Sequence, residues 1–422
     1  MDKHGKMVQL SSFAIPAGVL CFNLLLVLFP RETIAAAREG LLLWFNNVLP
    51  SLLPFIVGAN LLMGLGAVRI LGALLEPVMR PVFGIGGGGG FAAAVGLMSG
   101  YPVGAKVTAE LRAENAMPRE EAQRLAAFAS NAGPLFLIGA VANGMFGSVA
   151  AGWLIVVAHY GGAVLAGLLF RAIGGRKTGK SRVHVQEPLQ VMRAAGYSKR
   201  EPFGAVLARS VKDAMETLLQ VGGYIILFGV LVRAMELLNV PAVLEYMARP
   251  LTRALHWPEG VVSAMLVGCV EMTNGARQAA ALGGTRAGLV LAVAIVSWGG
   301  LSVHAQAIGY LNKTDLRVGS YLVAKMVHAG IAAGIGFLLF PFFEASLAES
   351  VPAMAMVQGQ AEPLMVFVQA VGLLVLSLLV PVVCGMVWQM GRWMLRRKNI
   401  LRKIFPNGAR YDILKETPHN SK

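Results

Sequence analysis

Ten long apolar segments follow one another along the chain, with short polar stretches between them. A helix needs about 20 apolar residues to cross the hydrocarbon core of a bilayer, and a chain of 422 residues has room for many crossings. The segments cover residues 13–30, 41–66, 86–111, 122–147, 148–170, 214–238, 258–283, 286–311, 318–343 and 363–394. This pattern predicts an all-α polytopic membrane protein.

Two of these segments contain helix-breaking residues at their centres. Residues 99–102 (Ser-Gly-Tyr-Pro) interrupt 86–111, and residues 271–275 (Glu-Met-Thr-Asn-Gly) interrupt 258–283. Each half is then about 12 residues, or about 18 Å of helix, which is too short to span a core of about 30 Å. Both segments are therefore predicted to be re-entrant hairpins that enter and leave on the same side.

Two further segments are interrupted but remain long enough to cross. Residues 130–134 (Ser-Asn-Ala-Gly-Pro) interrupt 122–147, and residues 297–300 (Ser-Trp-Gly-Gly) interrupt 286–311. We interpret both as broken transmembrane helices with an unwound centre.

These elements occur twice in the same order: crossing, amphipathic surface helix, hairpin, broken crossing, crossing. The two copies cover 41–171 and 207–343, and Gly133 matches Gly299 between them. Each copy has three true crossings, because a hairpin returns to its own side. An odd number of crossings predicts that the second copy is inverted, as in many transporters.

The remaining parts of the chain connect or flank the two copies. They are an N-terminal anchor helix (1–40), a cytoplasmic linker (172–206), an extracytoplasmic linker with a last crossing (344–395), and a cytoplasmic tail (396–422).

Composition supports this organisation and excludes two other classes of protein. Hydrophobic residues make up 56% of the chain and charged residues 14%, whereas soluble domains carry about 25% charged residues. Neither a soluble nor a disordered protein fits these values.

The predicted topology accounts for much of the net charge of +15, and a membrane-surface role of the basic tail is the alternative. Lys and Arg collect in 171–202 and after Arg392, whereas 344–362 holds three glutamates and no Lys or Arg. Basic loops stay in the cytoplasm, so 344–362 is predicted to lie outside, with 31–40 and 241–256. No nucleic-acid partner is needed to explain the charge; the lipid bilayer is the predicted surroundings.

The broken elements are the candidate site. Unwound backbone at membrane depth is tolerated where it lines a cavity, and in inverted-repeat transporters such elements meet near the midplane. Ionisable residues inside crossings cost about 2.5–3.5 kcal/mol each on insertion scales, which points to a role for them. The candidate substrate-binding residues are Ser99, Tyr101, Lys106, Asn131, His159, Glu271, Thr273, Asn274, Arg277, Ser297, Lys325 and His328. The alternative is that the polar residues only satisfy broken backbone.

The cations in this set outnumber Glu271, so the cavity is predicted to favour an anion. Lys325 matches His159 in the other copy, and His328 shares its helix face at i+3. We predict that Lys325 sets anion selectivity; the alternative is that its side chain extends to the membrane surface.

Enzyme chemistry is not expected. The sequence contains no HExxH, no GxSxG and no paired-aspartate helix motif, and Cys21, Cys269 and Cys384 form no CxxC pair. We therefore predict no catalytic residues, no metal site and no cofactor.

Three motifs in the first copy resemble a known family. Residues 60–66 (Asn-Leu-Leu-Met-Gly-Leu-Gly), 99–106 (Ser-Gly-Tyr-Pro-Val-Gly-Ala-Lys) and 130–136 (Ser-Asn-Ala-Gly-Pro-Leu-Phe) look like the sporulation integral membrane protein YlbJ family, also called SpoVV. The resemblance covers roughly 40–345.

The resemblance implies both a fold and a role. That family carries a "gate" or nucleoside-recognition domain shared with concentrative nucleoside transporters, which implies a fold like theirs. It also implies transport of dipicolinic acid from the mother cell across the outer forespore membrane. A nucleoside or other metabolite transporter, and a non-transporting membrane partner in spore-envelope assembly, remain as alternatives. The coupling ion and any homo-oligomer are left open.

Overall fold

The structure is a computed structural model that describes residues 3–65, 75, 79–134, 136–173 and 201–348. Within these residues all regular elements are helices, which confirms the all-α prediction. The helices are α1 Lys3–Leu28, α2 Pro30–Leu43, α3 Leu49–Gly64, α4 Gly87–Ser99, α5 Val103–Ala113, α6 Arg119–Ala129, α7 Val149–Ile173, α8 Phe203–Leu237, α9 Val240–Ala254, α10 Val261–Val270, α11 Met272–Ala281, α12 Arg286–Trp298, α13 Gly300–Leu311 and α14 Val318–Ala348. Two π-helical segments, Trp44–Val48 and Phe136–Phe146, accompany them.

The helix that leads into the apolar segment 41–66 begins at Pro30, about ten residues earlier than the hydropathy predicts. The chain bends by 103° between α1 and α2, and residues 31–40, expected as an outer connection, form most of α2. Pro30 suits the first turn of a helix because it lacks an N–H that would need a partner there. The segment Trp44–Val48 then continues α2 into α3 without a break in helical backbone.

Both segments predicted as re-entrant hairpins are divided into two short helices at the predicted positions. In the first hairpin α4 ends at Ser99 and α5 begins at Val103. In the second, α10 ends at Val270 and α11 begins at Met272, with only Glu271 between them.

Both predicted interruptions of the crossings also form, but they differ in kind. After α6 the backbone leaves the helix at Ser130 and resumes as the π segment Phe136–Phe146. Between α12 and α13 the break is a single residue, Gly299, with φ of +92°. A positive φ is strained for residues with a side chain, which explains glycine at this position.

Several helices meet the physical requirements for crossing a membrane. Four spans are long and apolar enough: Val149–Ile173, Phe203–Leu237, Arg286–Leu311 and Val318–Ala345. A fifth is added if the bent pair Pro16–Leu28 and Pro30–Asn46 counts as one span. Large apolar side chains on α8 and α14 are exposed at the surface of the bundle, among them Leu227 and Leu338, as is expected where lipid is the solvent.

Connections from the two halves of the chain meet at one end of the bundle. There the Asp315 carboxylate accepts from Arg112 Nε and Nη2 at 2.8 and 2.9 Å. This bidentate hydrogen bond lowers the pKa of Asp315 below its usual range. The contact brings 112–119 and 312–317 together. Inversion of the second copy and likeness to nucleoside transporters remain predictions.

Some predicted elements lie outside the described residues. They are most of the linker 172–206, the last crossing 363–394, the tail 396–422, and part of the surface helix of the first copy. The surface helix of the second copy is α9, whose exposed apolar side chains include Tyr246, Met247 and Leu251.

Candidate functional site

The tip of the first hairpin packs directly against the first break. Gly100 has φ of +79°, and a Cβ there would lie 2.7 Å from the backbone nitrogen of Gly133. On the two arms of the hairpin, a Cβ at Gly96 or at Gly104 would lie 2.0 Å from the carbonyl oxygen of Ala129. Heavy atoms do not approach this closely, so glycine is required for the contact at each of these three positions.

The second hairpin repeats this arrangement with its own break. A Cβ at Gly300 would lie 2.9 Å from the backbone nitrogen of Met272, at the start of α11. Within the hairpin, a Cβ at Gly275 would lie 2.1 Å from the Cα of Gly268. In each half, therefore, the hairpin tip and the break of the following helix form one packed unit.

Glu271 fixes the second tip. Its two carboxylate oxygens accept from the backbone N–H groups of Thr273 at 3.0 Å and Asn274 at 2.7 Å, and the residue is 2% exposed. The first N–H groups of a helix have no partner within the helix, and a carboxylate there also meets the positive end of the helix dipole. Glu271 is therefore the N-cap of α11.

Tyr101 joins the first tip to the second break. Its hydroxyl lies 3.3 Å from the carbonyl oxygens of both Val296 and Ser297, to which it can donate. These carbonyls belong to the last turn of α12, where helical partners are missing. The contact spans 196 residues of sequence and brings the two halves together at the centre of the bundle.

A cavity of about 490 Å³ lies where these elements meet. It is lined by residues of both tips (Tyr101 and Thr273), of the first break (Gly133), and of the turn that follows the second break (Ser302). This volume lies in the range of small-molecule sites. Its polar side chains are Asn46, Tyr101, Glu271, Thr273, Ser302 and Gln306. None of its described lining residues is Lys, Arg or His.

A basic cluster lies behind the Tyr101 ring. The Lys325 Nζ donates to the Ser130 carbonyl oxygen at 2.7 Å and lies 2.9 Å from His328 Nδ1. It also lies 5.1 Å from the centroid of the Tyr101 ring. Lys325 is fully buried, so its side chain does not extend to the membrane surface.

Two histidines continue this cluster to the other half of the site. His328 Nε2 lies 2.8 Å from the carbonyl oxygen of His159, to which it donates. The Ala132 N–H donates to His159 Nε2 at 3.1 Å. That nitrogen is therefore an acceptor, and His159 Nδ1 carries the proton that it donates to Ser297 Oγ at 2.8 Å. The cluster thus connects the first break with the second.

Comparison with known proteins gives this geometry a family. The sporulation integral membrane protein YlbJ of Bacillus subtilis (strain 168) is 35% identical over 343 residues, which cover 79% of this chain and 83% of that protein. This chain belongs to the sporulation integral membrane protein YlbJ family. No family model matches the chain, and no solved structure matches it. The expected family is confirmed.

The structure of this YlbJ-family chain brings some predicted residues to the cavity. Tyr101, Glu271 and Thr273 line it. Ser99 is buried at the end of α4, and Asn131 is buried in the first break, where its Nδ2 donates to Phe128 O at 2.6 Å.

Two of the predicted cations, Lys106 and Arg277, do not line the cavity. Lys106 lines a pocket of about 360 Å³ at the end that carries Asp315, and Arg277 and Asn274 line one of about 650 Å³ at the opposite end. Lys106 lies 3.3 Å from Thr217 Oγ1, and Arg277 donates to Asn274 Oδ1 at 3.0 Å. Both pockets also contain carboxylates, so neither is strongly basic.

Four polar side chains of the site were not among the predicted residues. Asn46, Ser302 and Gln306 line the cavity, and the Tyr160 hydroxyl lies 3.1 Å from Leu97 O and 3.0 Å from Ala132 O, to either of which it can donate. Ser302 and Gln306 could have been predicted from the sequence, because they are polar residues inside the apolar segment 286–311. Tyr160 gave no such signal.

Proposed function

We propose that this protein is a membrane transporter of a small organic anion. The observation that carries the proposal is the cavity of about 490 Å³ walled by both hairpin tips, by the first break and by the turn that follows the second break. A scaffold gains nothing from unwinding two helices at depth, because each freed backbone group needs a new partner. A transporter uses such elements to hold a solute between two parts that move.

The preference for an anion rests on Lys325. Within the described residues no carboxylate pairs with this ammonium group, although it is fully buried. An unpaired buried charge is costly, and a negative solute beside the Tyr101 ring would offset part of that cost. Dipicolinate, which the family resemblance implies, is a flat dianion of suitable size. On this proposal it moves from the mother cell to the forespore through the outer forespore membrane.

A second candidate is a neutral solute such as a nucleoside. The cavity's hydrogen-bonding groups are hydroxyls and amides, with Glu271 occupied by backbone N–H groups. Such a lining suits sugar and base edges, and no described lining residue offers a cation to a carboxylate. We place this candidate second because Lys325 lies directly behind the wall.

Uptake into proteoliposomes tests both candidates. The purified protein is reconstituted and supplied in parallel with radiolabelled dipicolinate and radiolabelled uridine, with protein-free liposomes as the blank. We expect saturable dipicolinate uptake that excess unlabelled dipicolinate abolishes and excess uridine does not. Uptake of uridine alone would establish the second candidate. Uptake of neither would favour a non-transporting membrane partner in spore-envelope assembly.

A further inference from the structure

The Lys325–His328 pair has a hydrogen-bonding arrangement suited to an exchangeable proton. A lysine ammonium has three N–H donors and no acceptor, whereas a neutral imidazole has one donor and one acceptor. His328 Nε2 donates to the His159 carbonyl, so its Nδ1 is the acceptor that faces Lys325 Nζ at 2.9 Å. The Ser130 carbonyl accepts the second lysine proton at 2.7 Å.

These contacts persist wherever the proton is. With three protons on Lys325 Nζ the pair is cationic. With two it is neutral, and both hydrogen bonds from Nζ remain. A proton on His328 Nδ1 reverses the direction of the shared bond without moving either heavy atom. The fold therefore accommodates one added proton without rearranging the pair.

The groups that face the pair leave the charge uncompensated. They are His159 and Tyr160 on α7, Tyr101 on the first hairpin, His304 on α13, and Tyr321 on α14. Among the described residues no Asp or Glu contacts the pair, and residues 363–394 contain neither. The negative charge that compensates the pair is therefore expected from a solute bound in the cavity.

We propose that Lys325 and His328 together bind one exchangeable proton, and that this proton is the coupling ion that accompanies the anion. The inference rests on the proposed transport function. The proton comes from water on the loading side and adds to the free electron pair of Lys325 Nζ. It then returns to water on the other side. Lys325 donates a hydrogen bond to the Ser130 carbonyl in the first break. A change in the charge of the pair therefore acts directly on the backbone of that break.

The sign of the coupling follows from position. An anion in the cavity is separated from Nζ by the Tyr101 ring, whose centroid is 5.1 Å away. Opposite charges roughly 10 Å apart in a protein interior change each other's binding by about tenfold. Coupling is reciprocal, so the anion binds more tightly when the proton is present. Uptake should therefore increase as the loading side becomes more acidic.

The experiment uses proteoliposomes with a pH-sensitive dye trapped inside. Dipicolinate is added outside, in one series at equal pH on both sides and in a second series with the outside more acidic. Internal pH is followed with unlabelled dipicolinate while radiolabelled uptake is measured in parallel. We expect the internal pH to fall in parallel with uptake. We also expect the initial rate of uptake to be about tenfold higher for each pH unit by which the outside is more acidic than the inside. Lys325→Arg keeps a charge that cannot be released, so it should bind dipicolinate but lose both acidification and gradient dependence. Lys325→Met should lose uptake.

Lys212→Met is the matched control, because Lys212 is an exposed lysine on α8 whose ion pair within the described residues is with Glu216. It should behave as wild type. Wild-type uptake without acidification would overturn this inference and leave the transport proposal standing. Absence of dipicolinate uptake by wild type would overturn both. If the Lys325 variants fail to fold, the wild-type dye signal still decides.

Discussion

Replacing Glu271 by Gln tests whether the second tip is part of a working site. The substitution keeps side-chain length and volume but turns one acceptor oxygen into an NH₂ group. One of the N–H groups of Thr273 and Asn274, now bound at 3.0 and 2.7 Å, then faces a donor. A buried donor without a partner costs about 1–3 kcal/mol, and loss of the charge at the helix start adds about 0.3–1 kcal/mol.

The expected total is about 2 kcal/mol, applied to the tip that forms part of the cavity wall. Every 1.4 kcal/mol is tenfold in an equilibrium, so we expect dipicolinate uptake to fall by roughly tenfold or more. Thermal unfolding in detergent should occur several degrees lower. Both are measured on the same preparation, with membrane insertion checked by fractionation.

The chain provides its own control for this substitution. Glu245 on α9 caps α10 in the same way, since its two oxygens accept from Gly260 N and Ser263 N at 2.9 Å each. It lies away from the cavity. Glu245→Gln should lower thermal stability, by about 1 kcal/mol because it is less buried, while leaving uptake unchanged. If Glu271→Gln transported normally, the tip would not be part of the site, as a scaffold would predict.

Three further predictions concern topology, pH and packing. Cysteine-accessibility labelling in a cysteine-free background should label 171–202 and 344–362 from opposite sides; labelling from one side would contradict the inverted repeat. The pKa of Asp315 is lowered by its arginine partners, so its stabilising effect is present above about pH 4 and is lost as the pH falls below that. The difference in melting temperature between wild type and Asp315→Asn should therefore be visible at pH 7 and should shrink as the pH falls through the lowered pKa of Asp315. A difference that stays constant into acid would refute the pairing. Gly104→Ala places a Cβ 2.0 Å from the Ala129 carbonyl oxygen. It should lower the free energy of unfolding by about 1–3 kcal/mol, measured by thermal unfolding. Gly204→Ala is the control and should be tolerated, because the space around Gly204 is open.

Residue chemistry along the chain was enough to predict the breaks. Glycine at positions 100 and 299 adopts positive φ, and Glu271 is an acceptor placed before free N–H groups, so both tips and the second break follow from local rules. The helix at 31–40 was not predicted, because these residues lie between the apolar segments 13–30 and 41–66 and were expected to connect them on the outside. It forms because it packs along α8, where a Cβ at Gly40 would lie 3.1 Å from the Ile226 Cα.

Contacts between the halves could not be predicted in the same way. Internal matching related Lys325 to His159, but nothing in the sequence placed His328 between them or Tyr101 against Ser297. Lys106 was expected at the cavity and lines a pocket at one end instead. A helix position gives depth along the axis, whereas the direction of a side chain depends on which neighbours pack around that helix.

The wall between the cavity and the pocket that contains Arg277 is thin. Leu43, Ile225 and Thr273 line both spaces, whereas the pocket that contains Lys106 has no described lining residue in common with the cavity. On the proposed transport function, passage at the Arg277 end would need side chains to rotate, which takes nanoseconds, and passage at the other end would need helices to separate, which takes microseconds to milliseconds. In kinetic terms the two ends are unequal: we expect exchange at the Arg277 end to reach equilibrium within each cycle, and the opposite end to set the turnover rate.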